Sequence, residues 1–257
     1  MQSLNAQHLR ALGRIHDVQQ AQAAIETARS CFENINVDLM YALPGQTLEQ
    51  ALSDVRGVLE YSPQHVSAYQ LTIEPNTLFH RYPPQLPEHD AAAEIQQAIE
   101  SLLDSHGYVH YETSAFSQPG YRCRHNLNYW QFGDYLGIGA GAHSKLSFPD
   151  RVTRQMRYKQ PREYLRRMAA GDATQTSNVV AANELPVEFM MNALRLTDGV
   201  ERRTFSERTG LPITTVANQL MQAVEAGLLL DSAERLQPTL RGQRFLNDLL
   251  ASFVESK

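Results

Sequence analysis

The stretch from His125 to Trp130 reads His-Asn-Leu-Asn-Tyr-Trp and carries the chain's single tryptophan. An imidazole can ligate a metal or the iron of a heme, and flanking aromatic rings can stack on a flat ligand. The same residues also suit a loop docked through Tyr129 and Trp130 with His125 as a hydrogen-bonded anchor, and spacing alone leaves both readings open. Asp38 lies near the C-terminal end of a strand-like run, Ile35 to Met40. In parallel α/β sheets that end faces the ligand cleft, where a carboxylate can hold a ribose hydroxyl or a cation. An aspartate there can equally cap or anchor a loop. Gly137 to Ala142 satisfies G-x-G-x-x-A, but a dinucleotide site needs a helix opening inside that motif. The following residues, His143 to Pro149, read as extended, so no such site is expected. Glycine still permits close backbone approach to another ligand.

Cysteine chemistry is limited. The chain has two cysteines, far apart, which excludes a disulfide scaffold, a four-cysteine zinc site and a self-contained cubane cluster. Cys31 is expected in the core beside Phe32. Cys123 lies between Arg122 and Arg124, whose cations favour its thiolate, but no partner base accompanies it. Between Arg151 and Arg167 there are seven basic groups against one acid, Glu163. Such a run can attract carboxylates or phosphates, or can simply be a solvated face.

These groups need elements to hold them. At 257 residues and 42% hydrophobic, the chain can bury a sizeable core in one or two domains. No apolar run approaches the ~18 residues of a membrane span. Met1 to Asn5 contains no secretory apolar region, and a cytoplasmic location fits the cysteine usage. The net charge of −5 argues against nucleic acid as a partner. Helix signals cover 17–32, with Asp17 and Gln20 as a capping pair, 47–60, with Thr47 and Gln50, and 88–106 before Gly107. Strand signals cover 35–40, 66–73, 108–112 and 135–138. That alternation predicts βαβ units and a parallel sheet. An eightfold (β/α) barrel typically needs ~250 residues. The pattern stops well short of that, so an open edge and an uncovered apolar face are expected.

Residues 150–180 read as a basic connector with a short helix near Pro161–Ala169. Beyond them, helices over 185–196, 203–209, 212–226 and toward 254 surround a small hairpin of 228–230 and 235–237. This resembles a winged-helix module. From Gln175 onward eight Lys/Arg face ten Asp/Glu, a poor balance for DNA. The fold expected is therefore α/β: an incomplete (β/α) barrel over 1–149, the connector over 150–180, and a small α+β winged-helix-like domain over 181–257.

Several stretches together resemble one family: Gln2–Leu4, Leu9–His16, Asp38–Thr47, Ser67–Thr77, His125–Trp130 and Tyr135–Ser144. They are similar to radical S-adenosylmethionine proteins of the oxygen-independent coproporphyrinogen III oxidase-like group, and within it to the HemW heme-chaperone branch. The resemblance covers essentially the whole chain. Family members open with C-x-x-x-C-x-x-C, which binds a [4Fe–4S] cluster, and a G-G-T-P segment that contacts S-adenosylmethionine. Neither occurs in this sequence. The resemblance implies the C-terminal portion of such a protein, from a start assigned wrongly, a degraded gene or a split protein whose barrel is completed by a separate chain or self-association. A start assigned too far downstream is the favoured expectation.

The resemblance also implies roles. Gln2, Arg14 and Asp38 fall at positions that contact S-adenosylmethionine, and Thr72 and His143 at two more. His125, Asn126, Tyr129 and Trp130 match H-N-x-x-Y-W, associated with heme, with His125 as the iron ligand. The implied function is binding heme and passing it to acceptor hemoproteins. Without cluster cysteines, cleavage of S-adenosylmethionine on this chain is not expected. The alternatives are coproporphyrinogen decarboxylation and a heme-binding fragment without radical chemistry.

Overall fold

The computed structural model describes residues 1–254. The chain forms two compact units, Met1–Cys123 and a second that begins at Arg124. No helix among the described residues is long and apolar enough to cross a membrane.

The first unit contains α1 (Ala6–Ala11), α2 (Val18–Cys31), β1 (Asn36–Tyr41), α3 (Leu48–Leu59), β2 (His65–Gln70), α4 (Leu78–Arg81), α5 (His89–Ser105), β3 (Val109–Glu112) and β4 (Ala115–Ser117). Local signals set the helix starts. The Gln20 N–H donates to Asp17 Oδ1 at 2.8 Å, and the Asp17 N–H donates to Gln20 Oε1 at 3.1 Å. Thr47 and Gln50 repeat this reciprocal cap on α3. On α5, Ala92, Ile95, Ile99 and Leu103 recur on one face. Gly107, at φ +79, follows the helix.

The sheet runs β1-β2-β4-β3. β1 and β2 are parallel, with Asn36 opposite His65, while β4 joins β2 and β3 antiparallel. The alternation of elements in the sequence predicts only parallel pairing. It does not reveal β4, whose three residues are too short for a periodic signal. Val37, Leu39, Tyr41, Val66, Ala68 and Phe116 form one core with residues of α3 and α5. Strand alternation puts Asn36, Asp38, His65 and Ser67 on the other face. That face joins these polar groups to Met40 and the exposed Tyr69, a mixed surface in place of the bare apolar one expected. Part of the outer edge of β1 is capped, as the Met40 N–H donates to Gln2 O at 2.8 Å.

The second unit contains α6 (Arg124–Trp130), β5 (His143–Phe148), β6 (Arg151–Arg157), α7 (Pro161–Ala169), β7 (Thr174–Val179), α8 (Leu185–Ala193), β8 (Val200–Glu201), α9 (Arg202–Thr209), α10 (Ala217–Glu225), β9 (Arg235–Leu236), α11 (Leu240–Arg244) and α12 (Leu246–Ala251). β5, β6 and β7 form an antiparallel sheet, so the basic stretch is not bare linker. Arg154 donates to Glu188 Oε2 at 2.6 Å and to Tyr135 Oη at 2.9 Å. Arg157 donates to Thr174 Oγ1 at 2.6 Å. Phe132, Phe189 and Phe205 meet edge to face, at centroid distances of 5.6 and 5.2 Å.

Two strand expectations fail here. Residues 135–138 contribute only an isolated bridge, Tyr135 to Lys145. Gly137 folds the chain back so tightly that a Cβ would lie 2.2 Å from His143 O. The tail hairpin is reduced to a bridge between Leu229 and Pro238, and β9 pairs instead with β8. Gly199 makes that pairing possible, because at φ +60 its Cβ would sit 1.9 Å from Leu236 O.

Candidate functional site

Asp38 is the third residue of β1, not the end of the strand as the sequence suggested. Its half-buried carboxylate accepts a 2.8 Å hydrogen bond at Oδ1 from Asn36 Nδ2. Asn36 Oδ1 lies 2.7 Å from His65 Nδ1, and His65 Nε2 lies 2.7 Å from Tyr111 Oη. Ser67 Oγ donates to Asn36 Oδ1 at 3.2 Å, and the Cys123 N–H donates to Tyr111 Oη at 3.2 Å. Burial lowers the His65 pKa, with the Asp38 charge opposing. Burial is also the main cause that pushes Tyr111 up to about 12. Both are therefore neutral at neutral pH. Sequence reasoning missed this cluster because its bonds join distant residues. The signal present was polar alternation, Asn36/Asp38 and His65/Ser67, inside otherwise apolar strands.

The other first-unit candidates sit around β1 and its end. Gln2 is bonded to the backbone of Met40, two residues along from Asp38. Arg14 is exposed, and its guanidinium has no ion pair among the described residues. His16 and Asp38 both line a cleft of about 340 Å³ whose apolar wall includes Ala21, Ala24 and Ile25. Thr72 is exposed just beyond β2 and donates to Glu74 Oε1 at 2.9 Å. Cys31 is exposed, not core, at the last position of α2, and Phe32 beside it is also exposed.

In the second unit, His125 opens the exposed side of α6. The stretch is helical, not a loop, and His125 is no hydrogen-bonded anchor: its ring makes no hydrogen bond among the described residues. It meets Tyr129, one turn on, edge to face at 4.7 Å, and Tyr129 meets Tyr135 at 4.4 Å. Asn126 is half-buried. Trp130 stacks under the Arg195 guanidinium at 4.4 Å, and its buried indole N–H has no hydrogen-bond partner among the described residues. Asn128 Nδ2 donates to Asp134 O at 2.9 Å, closing the turn after the helix. The glycine-rich loop leads into β5, as the extended reading of 143–149 required, and exposes Leu136 and Ile138. At Gly137 the close backbone approach is to His143 O, while Gly139 has open space around it. His143 itself is exposed on β5. No group of three or more potential metal-ligating His, Cys, Asp or Glu side chains occurs among the described residues.

Known proteins match along the chain. Residues 180–245 match the HemN C-terminal domain family. Over 99% of its length the chain is 45% identical to the heme chaperone HemW of Haemophilus influenzae, covering 66% of that protein. It is 44% identical to HemW of Escherichia coli, again over 99%, and covers 67% of it. The chain belongs to the HemW family. It spans about two thirds of the length of these curated relatives. The solved structure titled coproporphyrinogen III oxidase (HemN) from Escherichia coli, a radical SAM enzyme, superposes with a TM-score of 0.77 at 18% identity. The match covers 98% of this chain and 62% of that one. That likeness establishes the fold: an incomplete α/β barrel like that of HemN, followed by a small α+β domain.

Proposed function

We propose that this chain is the heme-binding, C-terminal portion of a heme chaperone that loads hemoproteins in the cytoplasm. The observation that carries the reading is His125: an exposed imidazole with no hydrogen bond among the described residues, on the helix of the H-N-x-x-Y-W motif, in a chain of the HemW family. Neutral imidazole is a competent iron ligand. Tyr129 fixes one edge of the ring, while Tyr135, Leu136 and Ile138 offer aromatic and apolar surface in the same unit.

The first unit suits an adenosyl amino acid. The Asp38 carboxylate suits a ribose diol, and the unpaired Arg14 guanidinium suits a carboxylate. Gln2 O accepts from the Met40 N–H on β1 and Thr72 follows β2, and the fifth candidate, His143, belongs to the second unit. A [4Fe–4S] cluster does not fit the side chains described, since the two cysteines are distant and no third ligand joins them. Cleavage of S-adenosylmethionine is accordingly assigned to no residue of this chain. The partners proposed are heme, acceptor hemoproteins, and a chain segment or second copy that completes the barrel.

Heme titration of the wild type against His125→Ala tests the reading. A shifted Soret band and an affinity loss of about tenfold or more are expected in the variant. Equal spectra and equal affinity would remove His125 as the ligand. No observation favours the decarboxylase alternative, for which the fold alone speaks.

A further inference from the structure

We propose that Asn36, His65 and Tyr111 are positioning residues that hold the Asp38 carboxylate in one orientation for a hydroxyl-bearing ligand, through a relay whose every proton is set by the charge on Asp38. The inference rests on Asp38 being the ligand carboxylate, as proposed above.

The direction follows from counting donors and acceptors. An ionised aspartate accepts only, so the group 2.8 Å from its Oδ1 must be the Asn36 amide NH₂. The Asn36 carbonyl therefore faces His65 and Ser67, both within hydrogen-bonding distance. A carbonyl also only accepts, so the proton of the neutral imidazole resides on His65 Nδ1. His65 Nε2 is then bare and must accept, which it does from the Tyr111 hydroxyl at 2.7 Å. Tyr111, having donated, accepts from the Cys123 N–H. Reversing the Asn36 amide would set a carbonyl against the Asp38 carboxylate. Among the described residues, Asp38 Oδ2 takes no hydrogen bond, and this second oxygen is available for a hydroxyl.

The fold supports a positioning role. His65, Ser67 and Tyr111 are at most 4% exposed, so the inner end of the relay is shielded from competing water, while Asn36 and its bond to Asp38 lie at the surface. A β-bulge between His110 and Glu112 breaks the alternation of β3, and Tyr111 lies within it. Its ring meets the His65 ring edge to face at 5.6 Å. Burial keeps the imidazole and the phenol neutral, the state the donor order demands.

Two measurements on the full chain test this. The first reads the His65 ring nitrogens by ¹⁵N NMR, with the signal identified by its loss in His65→Gln. The expected wild-type state is the Nδ1–H tautomer. Asp38→Asn, which replaces an acceptor-only end with one that can also donate, is expected to mix the two tautomers. Tyr111→Phe keeps the ring packing and is expected to move the bare Nε2 resonance alone. An unchanged His65 tautomer in Asp38→Asn overturns the relay, whatever Asp38 binds.

The second measurement is calorimetric affinity for S-adenosylhomocysteine, which needs no cluster. Asp38→Asn is expected to weaken it about tenfold, and Asn36→Leu and His65→Gln about threefold. If Asp38→Asn weakens binding while both relay variants bind like wild type, the positioning role fails and Asp38 stands. If Asp38→Asn binds like wild type, or wild type does not bind, the ligand reading of Asp38 fails. The tautomer result then decides the relay separately.

Discussion

Lys145 on β5 and His65 on β2 are both titratable side chains buried in strands, and their hydrogen bonds run to different ends. The Lys145 ammonium donates to Phe132 O at 3.0 Å, Asp134 Oδ1 at 2.9 Å and Ser147 Oγ at 2.9 Å. Ser147 closes the ring by donating to Asp134 from both its hydroxyl and its N–H. All three ammonium protons are used, and the charge lies 4.1 Å from the centre of the Phe132 ring. The His65 relay is instead open-ended, finishing at a half-buried carboxylate with one oxygen to spare. A closed network can only hold the fold, whereas an open one can also hold something that arrives.

Stability should separate them most sharply. Breaking a buried ion pair costs about 3–5 kcal/mol when the remaining charge stays buried. Asp134 is 38% exposed and can rehydrate, so Lys145→Met is expected to cost about 2–3 kcal/mol in urea unfolding. A loss near zero would mean the ring contributes nothing to the fold. Gly137→Ala comes next, since its Cβ must displace backbone at 2.2 Å. A loss of about 1–3 kcal/mol is expected, together with disturbed amide signals on β5. The His65 end should show itself through pH. Its folded pKa lies below the ordinary 6.5, so as pH falls through 6.5 the unfolded chain takes a proton that the folded chain refuses. Native stability therefore falls with acidification in that window. His8, held down by burial with Asp54 opposing, acts in the same sense. His65→Gln should remove its share of the slope, and an unchanged slope would place the imidazole in water. The smallest effect is expected at Tyr129→Leu. Losing an edge-to-face pair worth about 0.5–1.5 kcal/mol should weaken heme binding only severalfold, read from the Soret titration.

What is legible in the sequence follows the range of the interaction. The caps of α2 and α3 depend on residues three apart, so residue type and spacing alone give both. The apolar stripe of α5 is equally plain. The Asn36–His65 and His65–Tyr111 bonds span 29 and 46 positions, beyond any periodic signal. The basic run misleads for another reason. Arginine on a strand can bury its stem while the guanidinium finds Glu188 or Thr174, so charge density there does not mean a wholly solvated face. His125 stands out by composition alone, and sequence does not say that its ring is free of hydrogen bonds.

The bulge of β3 has a consequence for how this molecule can change over generations. A substitution near it alters a side chain, but a gained or lost residue alters the count that separates His110 from Glu112. One deletion would restore strict alternation and rotate Tyr111 away from His65. A residue gained or lost in the hairpin of β3 and β4 therefore disturbs the Tyr111–His65 contact even where Tyr111 itself is kept.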